Sequence, residues 1–391
     1  MEVHRLTAQE RFEANLISVT AFHMRMEDPE KNREESLKAT EEDWGAFADD
    51  GKMMARIINN KYETWLDGRL IQNGGIGAVS TLPEYRNAGA IRAIFERLLP
   101  EAYQNGEIIS TLYPFNHAFY RKFGYETVRW RNDYSFAPSV LSEYRFSGTA
   151  ELWKPENPVS EYTELYNRFA AEYNLAMKRD DKMMLDQHLR GEYYKDRKFG
   201  YLLRSDGKPA AYLIFQDIRN DPAAILDVRD LAWDGRVGFE AILGFLSRFT
   251  ADYGTIRMFL PASLELLSII RSPQAYDIAQ TARQDYMIRA VNAQKLLEII
   301  HKPDDSRFVI RIEGDRQIPQ NNGVWEVCGD SAVPTDQAPD LAVSIQAFSQ
   351  LAAGCVSLSE ALYRPDAALT GNETVLKKIF IRKPILVEEH F

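Results

Sequence analysis

Residues 79–92 read Val79-Ser80-Thr81-Leu82-Pro83-Glu84-Tyr85-Arg86-Asn87-Ala88-Gly89-Ala90-Ile91-Arg92. The pattern predicts the end of a strand, a loop with the spacing Arg-x-x-Gly, and the start of an amphipathic helix. The N–H groups at a helix N-terminus have no intrahelical acceptor, and the helix dipole favours anions there. Gly89 lets the backbone approach a phosphate, and Arg86 and Arg92 add positive charge. The segment indicates a phosphate-binding loop, although a plain helix start beside a surface arginine explains it equally well.

A second informative segment reads Leu112-Tyr113-Pro114-Phe115-Asn116-His117-Ala118-Phe119-Tyr120-Arg121-Lys122-Phe123-Gly124-Tyr125-Glu126. It predicts a short helix over 116–123 that is followed by Phe-Gly-Tyr and by a strand over 125–130. Phe115, Phe119 and Phe123 recur at helical spacing, which is typical of a stripe of core residues. Tyr120 lies outside that stripe, so its phenol is a candidate for chemistry rather than for packing.

Together, the two segments resemble the GNAT superfamily of N-acetyltransferases, in which the strand, the loop, the helix, a further strand and the tyrosine occur in this order. The whole chain is similar to the Eis (enhanced intracellular survival) family, most clearly at 113–115, at 119–126 and at the C-terminal Phe391. The resemblance implies an α+β (mixed α/β) fold with tandem GNAT folds and a sterol-carrier-protein-like domain. The implied domains are a catalytic GNAT domain with the acetyl-CoA site (1–145), a degenerate GNAT-like domain (146–288) and the sterol-carrier-protein-like domain, whose C-terminus reaches the active site (289–391).

The resemblance also implies roles for individual residues. Acetyl-CoA would be the co-substrate, Tyr120 the general acid that protonates the departing thiolate, and the α-carboxylate of Phe391 the general base. The residues implied to contact acetyl-CoA are Val79, Ser80, Thr81, Arg86, Asn87, Ala88, Gly89, Ala90, Ile91, Arg92 and Asn116. Two positions depart from the pattern, because Ile91 replaces a small residue of most GNAT proteins and His390 replaces an acidic residue of the aminoglycoside-acetylating members. The second departure argues against aminoglycosides more than against acetyl transfer.

The implied chemistry is consistent with ordinary acidities. A thiolate with a pKa of about 8.5 leaves the thioester, and a phenol with a pKa of about 10 can return a proton to it. A free α-carboxylate, with a pKa of about 3.5, is a weak base in water and needs position, desolvation or a bridging water. His23 and His117 are alternative bases.

Local patterns predict the elements. Thr7 and Glu10 predict a helix with an apolar face at 12, 16 and 19, and Asp67-Gly68 predicts a hairpin that is followed by a separate strand over 76–81. The order of strands and helix recurs after about residue 145, with a helix predicted over 239–253 and without an Arg-x-x-Gly loop. The strands predicted there and in the last third are 201–204, 211–216, 225–232, 256–260, 308–313, 323–327 and 341–345.

Composition narrows the class of partner. The net charge of −10 argues against nucleic acid. It is compatible with a cationic small-molecule amine, but solubility explains it more simply. Neither a membrane span nor a signal peptide is visible in the sequence, and Cys328 and Cys355 have no paired spacing. These features predict a cytoplasmic protein without a metal, and the resemblance implies a homo-oligomer, with a hexamer expected.

Two alternatives stay open. The chain could be a protein-lysine or peptide N-acetyltransferase, or a non-enzymatic module that binds a lipid through its last domain. An acidic stretch near the N-terminus could attract a polyamine such as spermidine, although a solvated helix face explains it as well. Its acidic residues are Glu34, Glu35, Glu41, Glu42 and Asp43.

Overall fold

The computed structural model describes residues 1–39, 42–220, 223–271, 277–303 and 306–391. Its strands are β1 (Glu2–Arg5), β2 (Glu42–Phe47), β3 (Met53–Leu66), β4 (Arg69–Thr81), β5 (Ile109–Leu112), β6 (Glu126–Val128), β7 (Arg131–Phe136), β8 (Thr149–Leu152), β9 (Lys198–Ser205), β10 (Lys208–Asn220), β11 (Ala223–Trp233), β12 (Thr255–Pro261), β13 (Ile278–Arg283), β14 (Tyr286–Ala290), β15 (Arg307–Glu313), β16 (Gly323–Cys328), β17 (Ser331–Pro334), β18 (Leu341–Ser344) and β19 (Ala367–Leu369). Its helices are α1 (Arg11–Ala21), α2 (Pro29–Lys38), α3 (Ala90–Gln104), α4 (His117–Arg121), α5 (Ser160–Ala170), α6 (Asp181–Met183), α7 (Tyr193–Asp196), α8 (Gly235–Leu246), α9 (Leu266–Ile269), α10 (Ala293–Ile299), α11 (Ile345–Ala353), α12 (Leu358–Ala361) and α13 (Glu373–Ile379).

The contacts divide the chain into two compact units. The first contains Met1–Val128, Asp285–Arg382 and Glu389–Phe391, and the second contains Arg129–Gln284 and Lys383–Glu388. The first unit holds a sheet in the order β1-β2-β3-β4-β5-β14-β6 and a smaller sheet in the order β17-β16-β15-β18-β19. The second unit holds a sheet in the order β13-β7-β12-β11-β10-β9-β8. Helices and strands therefore mix throughout, as the predicted α+β class requires.

The hairpin between β3 and β4 shapes the first unit. Its turn is at Asp67 and Gly68, which both have positive φ (49° and 74°), so the predicted hairpin is confirmed. The separate strand predicted over 76–81 is wrong, because it is the end of β4. Glycines in the middle of β4 carry no side chain that would mark a strand in the sequence, and cross-strand pairing with β3 continues through them.

The strands β4 and β5 run parallel but pair only at one end. Asn73–Ile76 of β4 pairs with Ile109–Leu112 of β5. Beyond Ile76 the register with β3 shifts at a bulge, where Ala78 has a φ of 50°. The last residues of β4, up to Thr81, therefore form a strand edge that is not paired to β5.

The helix α1 forms as predicted but buries a different face. Its buried residues are Ala14, Ile17 and Ser18, whereas Leu16, which was expected on the core face, is 42% exposed. Ala14 and Ser18 are small, which allows the helix to lie close to β3 and β4. Ser18 also shares a hydrogen bond of 3.2 Å with Ser80 of β4, a partner that hydrophobic periodicity does not reveal.

The second unit repeats the arrangement of hairpin, helix and parallel strand. The predicted strands are present as β9 to β12, and the predicted helix 239–253 begins earlier, at Gly235, and ends as α8 at Leu246. The predicted domain boundaries at 145/146 and 288/289 do not match the sheets to which two strands belong. β7 lies in the second unit's sheet, while β14 lies between β5 and β6 of the first unit.

The start of α8 has no counterpart of the Arg-x-x-Gly loop. Asp234 is its N-cap, which puts a carboxylate at the helix N-terminus. A side chain at Gly238 would overlap the carbonyl oxygen of Ala210, so the helix lies directly on the strand. This closeness leaves no space between helix and sheet at this point of the second unit.

Candidate active site

A cavity of about 690 Å³ opens in the first unit where β4 ends and α3 begins. It is lined by the unpaired edge of β4, by the loop before α3, by the end of α1, and by aromatic rings around α4. The predicted acetyl-CoA residues that line it are Val79, Ser80, Thr81, Arg86, Asn87, Gly89, Ala90, Ile91 and Arg92. The structure thus gathers most of the predicted set around one cavity.

Two predicted contacts, Ala88 and Asn116, are not lining residues. Ala88 lies exposed in the loop, where its N–H donates to the carbonyl of Tyr85. Asn116 caps α4, because its side-chain oxygen accepts the N–H of Phe119 at 3.0 Å. The role that the structure gives to Asn116 is to begin the helix.

The N-terminus of α3 is open toward the cavity. Gly89 and Asn87 both adopt positive φ (85° and 67°), and a Cβ at Gly89 would have no atom within 4 Å. The first backbone hydrogen bond of the helix runs from the N–H of Ala93 to the carbonyl of Gly89. No side chain in the described part of the chain caps the preceding N–H groups. These donors are available to an anion.

Positive side chains surround this helix start. Arg86, Arg92 and Lys122 are exposed and line the cavity. Within the described ranges none of these three side chains forms an ion pair or a hydrogen bond. Unpaired cations beside an uncapped helix N-terminus fit a ligand with several phosphate charges, such as coenzyme A. Lys122 stands in the quoted segment 112–126, but the sequence analysis gave it no role.

Tyr120 is buried beside the cavity rather than in its lining. Only 2% of it is exposed, and its ring lies edge-on to Phe115 (5.3 Å), Phe119 (5.2 Å) and Phe95 (6.3 Å between ring centroids). Burial, with a smaller effect of Tyr125, raises the pKa of the Tyr120 phenol above its ordinary value. The hydroxyl therefore keeps its proton at neutral pH.

The predicted core stripe around Tyr120 is wrong in part. Phe123 is buried, but Phe119 is only half-buried and Phe115 is 70% exposed. The helix α4 begins at His117, so helical spacing does not apply to Phe115. Its ring instead stands at the cavity, against the rings of Phe119 and Tyr120.

The C-terminal residue lies against β4 of the same unit. The main-chain carbonyl carbon and oxygen of Phe391 would be 3.1 and 3.4 Å from a Cβ placed on Gly77. Its ring centroid is 5.3 Å from that of Tyr62 and 5.8 Å from that of Tyr113. Phe391 is half-buried, so this end of the chain is only partly covered. The hydroxyl of Tyr113 also donates to the carbonyl of Glu389 at 3.0 Å.

The alternative bases stand apart from the cavity lining. His23 is exposed, with a φ of 54°, directly after α1, and the neighbouring Ala21 and Phe22 line the cavity in its place. His117 is half-buried at the start of α4 and is not a lining residue.

The acidic stretch divides into exposed and paired groups. Glu34 and Glu35 are exposed on α2, where Glu35 also pairs with Lys31 at 3.8 Å. Glu42 pairs with Lys61 at 2.8 Å. Asp43 is buried in an ion pair with Arg56 at 2.7 Å, and Glu41 lies outside the described residues. The acidic surface that could attract an amine is therefore smaller than the sequence suggested.

Sequence reasoning missed the polar contacts that hold α1 beside the cavity. Arg56 of β3 donates to Asp43 and also to the side chains of Asn15 (2.5 Å) and Ser18 (3.3 Å) of α1. Ser18 in turn shares its hydrogen bond with Ser80, a lining residue. The signal available in the sequence was Arg56 itself, because an arginine within a run of apolar strand residues indicates buried polar partners.

Among the described residues, no group of three or more His, Cys, Asp or Glu side chains is arranged to hold a metal ion. No helix in that part of the chain combines the length and the apolarity needed to cross a membrane.

Known families match two parts of the chain. Residues 2–128 match the family described as Acetyltransferase (GNAT) domain. Residues 289–380 match the family described as Sterol carrier protein domain. No curated protein matches the chain. The two matches confirm the predicted first and last parts of the fold and the predicted acetyltransferase class.

Solved structures resemble the chain over its whole length. A GCN5-related N-acetyltransferase from Anabaena variabilis aligns with a TM-score of 0.85 at 20% identity and covers 100% of both chains. A probable N-acyltransferase from Enterococcus faecalis aligns with a TM-score of 0.85 at 21% identity, over 100% of this chain and 99% of the other. Eis1 from Mycobacterium abscessus aligns with a TM-score of 0.82 at 17% identity over 100% of both chains. At these identities the likeness concerns the fold, which agrees with the predicted Eis-like architecture.

Proposed function

We propose that this chain, an acetyltransferase with an N-terminal GNAT domain and a C-terminal sterol carrier protein domain, acetylates a primary amine of a small cationic acceptor with acetyl-CoA. One observation carries the proposal. The unpaired edge of β4, the uncapped start of α3 and three cations without ion pairs in the described part of the chain surround a single cavity. Arg86, Arg92 and Lys122 would hold the phosphates there, and the β4 edge would meet the pantetheine.

Tyr120 is proposed as the general acid. The acceptor nitrogen bonds to the acetyl carbonyl carbon, and the carbon–sulfur bond breaks with its electron pair on sulfur. Tyr120 donates its phenolic proton to that sulfur, which yields the free thiol. An ammonium acceptor loses two protons, one to the base before attack and one after the carbon–nitrogen bond forms. The first passes to solvent, and the second restores the phenol.

The main-chain carboxyl group of Phe391 is proposed as the base. Its position against Gly77 supports the proposal, because the ring contacts Tyr62 and Tyr113 hold this end of the chain on β4. A carboxylate is a weak base in water, so its use depends on position and on partial exclusion of solvent. Phe391, His23 and His117 all lie outside the cavity lining. Phe391 ranks above the two histidines because its contacts hold its carboxyl group against Gly77 of β4.

The acceptor is proposed to be cationic. The chain carries a net charge of −10, and Glu34 and Glu35 are exposed on α2. Polyamines are favoured over aminoglycosides because His390 stands where the resemblance implies an acidic residue. A cytoplasmic location is proposed on the sequence features alone, and a homo-oligomer, with six chains expected, on the resemblance alone. Light scattering after size-exclusion chromatography tests the assembly.

An acceptor screen tests the function. Thiol release from acetyl-CoA is measured with spermidine, kanamycin and a lysine-containing peptide, for the wild type and for Tyr120→Phe. The proposal expects release with spermidine that Tyr120→Phe strongly reduces. Release with the peptide alone would favour a protein-lysine acetyltransferase. No release with any acceptor, together with a lipid retained in native mass spectrometry, would favour the lipid-binding alternative.

A further inference from the structure

The short helix that carries Tyr120 is held at its C-terminal end by residues of the sterol carrier protein part. α4 ends at Arg121, and its last turn leads through Phe123 toward β6. The carbonyl of Arg121 accepts a hydrogen bond of 3.0 Å from the side chain of Gln346 on α11. The carbonyl of Phe123 accepts one from the guanidinium of Arg289 on β14. A helix of five residues has little stability of its own, so its position depends on such contacts.

Arg289 is fixed in turn by a buried carboxylate. The side chains of Arg289 and Asp315 are both 0% exposed, and one guanidinium nitrogen donates to both carboxylate oxygens at 2.7 and 2.8 Å. Asp315 also accepts the N–H groups of Gln317 (3.1 Å) and Ile318 (3.0 Å) and the side-chain amide of Asn321 (2.8 Å). Both carboxylate oxygens that orient the guanidinium are therefore fixed by further hydrogen bonds. A buried pair of this kind contributes more to geometry than to net stability.

The turn after α4 is shaped around this guanidinium. Gly124 adopts a φ of 86°, and a side chain there would overlap Nη1 of Arg289 and lie 3.4 Å from Ile345. Only glycine meets both demands, the positive φ and the absence of a Cβ. The Phe-Gly-Tyr sequence after Tyr120 thus has a local cause in the packing of Arg289.

A second ion-pair network holds the other side of the turn. Glu126 of β6 accepts hydrogen bonds from Arg121 (2.7 Å) and from Arg364 (3.1 Å). Burial alone would raise the pKa of Glu126, but the hydrogen bonds from Arg121 and Thr127 and the charges of Arg121 and Arg364 outweigh it, so the pKa is lowered. Glu126 therefore stays ionised, and Arg121 stays tied to it.

We infer that Arg289 and Asp315 are positioning residues that hold the Tyr120 hydroxyl in its working place, and that this support is a function of the sterol carrier protein part. Ile318, whose N–H donates to Asp315 at 3.0 Å, belongs to the same buried core cluster as Tyr120 and Phe123. The inference rests on the proposed acid role of Tyr120. Displacing a reacting group by about 1 Å can lower a rate by about 100-fold.

A double-mutant cycle tests the inference. Asp315→Asn keeps the shape of the side chain and removes its charge, and kcat is measured for it alone and in a Tyr120→Phe background. We expect a loss of about 10- to 100-fold in the otherwise native chain, with acetyl-CoA affinity unchanged within about 2-fold. In the Tyr120→Phe background the same substitution should cost almost nothing, because there is no proton left to position.

A milder variant keeps the test decisive if Asp315→Asn does not fold. Gln346→Ala removes only the hydrogen bond to Arg121, and Gln337→Ala is its matched control. Gln337 is a glutamine of the same domain whose side chain donates to Glu326 at 2.9 Å, away from α4. We expect kcat to fall by about 3-fold for Gln346→Ala in the native background only, and to stay unchanged for Gln337→Ala.

The outcomes separate the inference from the proposed function. If Asp315→Asn lowered kcat by the same factor in the Tyr120→Phe background as in the native chain, the positioning role would be overturned and the acid role would remain. Equal losses for Gln346→Ala and Gln337→Ala would do the same. Full activity of Tyr120→Phe itself would remove the acid role and the inference with it.

Discussion

At the scale of single residues, the aromatic rings around Tyr120 determine what its phenol can do. Removing the hydroxyl in Tyr120→Phe keeps the ring in its contacts with Phe95, Phe115 and Phe119. We expect kcat to fall by about 10²- to 10⁴-fold, because general-acid catalysis contributes about that much. Acetyl-CoA affinity, measured by calorimetry, should stay the same. Tyr103→Phe, a half-buried tyrosine on α3, is the control that should keep full activity.

The raised pKa of Tyr120 gives an expectation for the pH profile. The acid is active while protonated, and a raised pKa extends that form to higher pH. Log kcat should therefore show no fall on the alkaline side below about pH 10, the ordinary value for a phenol. A decline centred between about pH 7 and 9 that disappears in Tyr120→Phe would contradict this assignment.

The carboxyl group of Phe391 can be tested without disturbing its ring. Amidating the terminus by semisynthesis keeps the contacts with Tyr62 and Tyr113 and removes the charge. If this carboxylate is the base, the amide should lose most activity while keeping its fold and its acetyl-CoA affinity. Deleting Phe391 should lose activity as well, and adding Gly-Ser after it displaces the charge with the same effect. An active amide would return attention to His23 and His117.

The sequence pattern singled out Tyr120, but for a reason that the structure corrects. Tyr120 was selected because three phenylalanines were expected to occupy the core face. Tyr120 is in fact the buried ring, while Phe115 is exposed at the cavity. A five-residue helix is too short for periodicity to define its faces. The resemblance to known acetyltransferases supplied what the local pattern could not.

At the scale of elements, the N-terminus of α3 is the part most open to test. Gly89→Asp would place a carboxylate where phosphate is expected. A charge repulsion of about 1.4 kcal/mol corresponds to about a 10-fold change in affinity, so acetyl-CoA binding should weaken by at least about 10-fold. Gly106→Asp is a matched control at the other end of α3. Gly89 and Gly106 have φ values of 85° and 83°, and neither has an atom within 4 Å of a placed Cβ, so the backbone strain is equal. Equal binding by both variants would remove the helix start from the phosphate site.

Elements that depend on local chemistry were predictable, and those that depend on distant partners were not. The turn at Asp67-Gly68 and the apolar face of α3 were read from neighbouring residues and are confirmed. The strand predicted over 125–130 is interrupted, because Glu126–Val128 pairs with β14 while the residues from Arg131 pair with β12 and β13. A continuous strand pattern contains no signal that its two halves join different sheets.

At the scale of the whole molecule, the two GNAT-like parts should differ in cofactor binding. Calorimetry should find one acetyl-CoA per chain. In the second unit α8 lies directly on β10 at Gly238, and Asp234 puts a negative charge at the helix start. In the first unit the corresponding helix start borders the cavity of about 690 Å³. A stoichiometry of two would mean that the second unit opens a site between α8 and its sheet.

The place of β14 in the first sheet bears on how the chain folds as it leaves the ribosome. β14 pairs with both β5 and β6, although all of Arg129–Gln284 is synthesised before it. The first sheet therefore cannot be completed until β14 has been synthesised, after the whole of Arg129–Gln284. Until then the edges of β5 and β6 that pair with β14 are unpaired. A nascent chain released after residue 145 would lack that strand, so the acetyltransferase domain should not become protease-resistant until residue 290 has emerged.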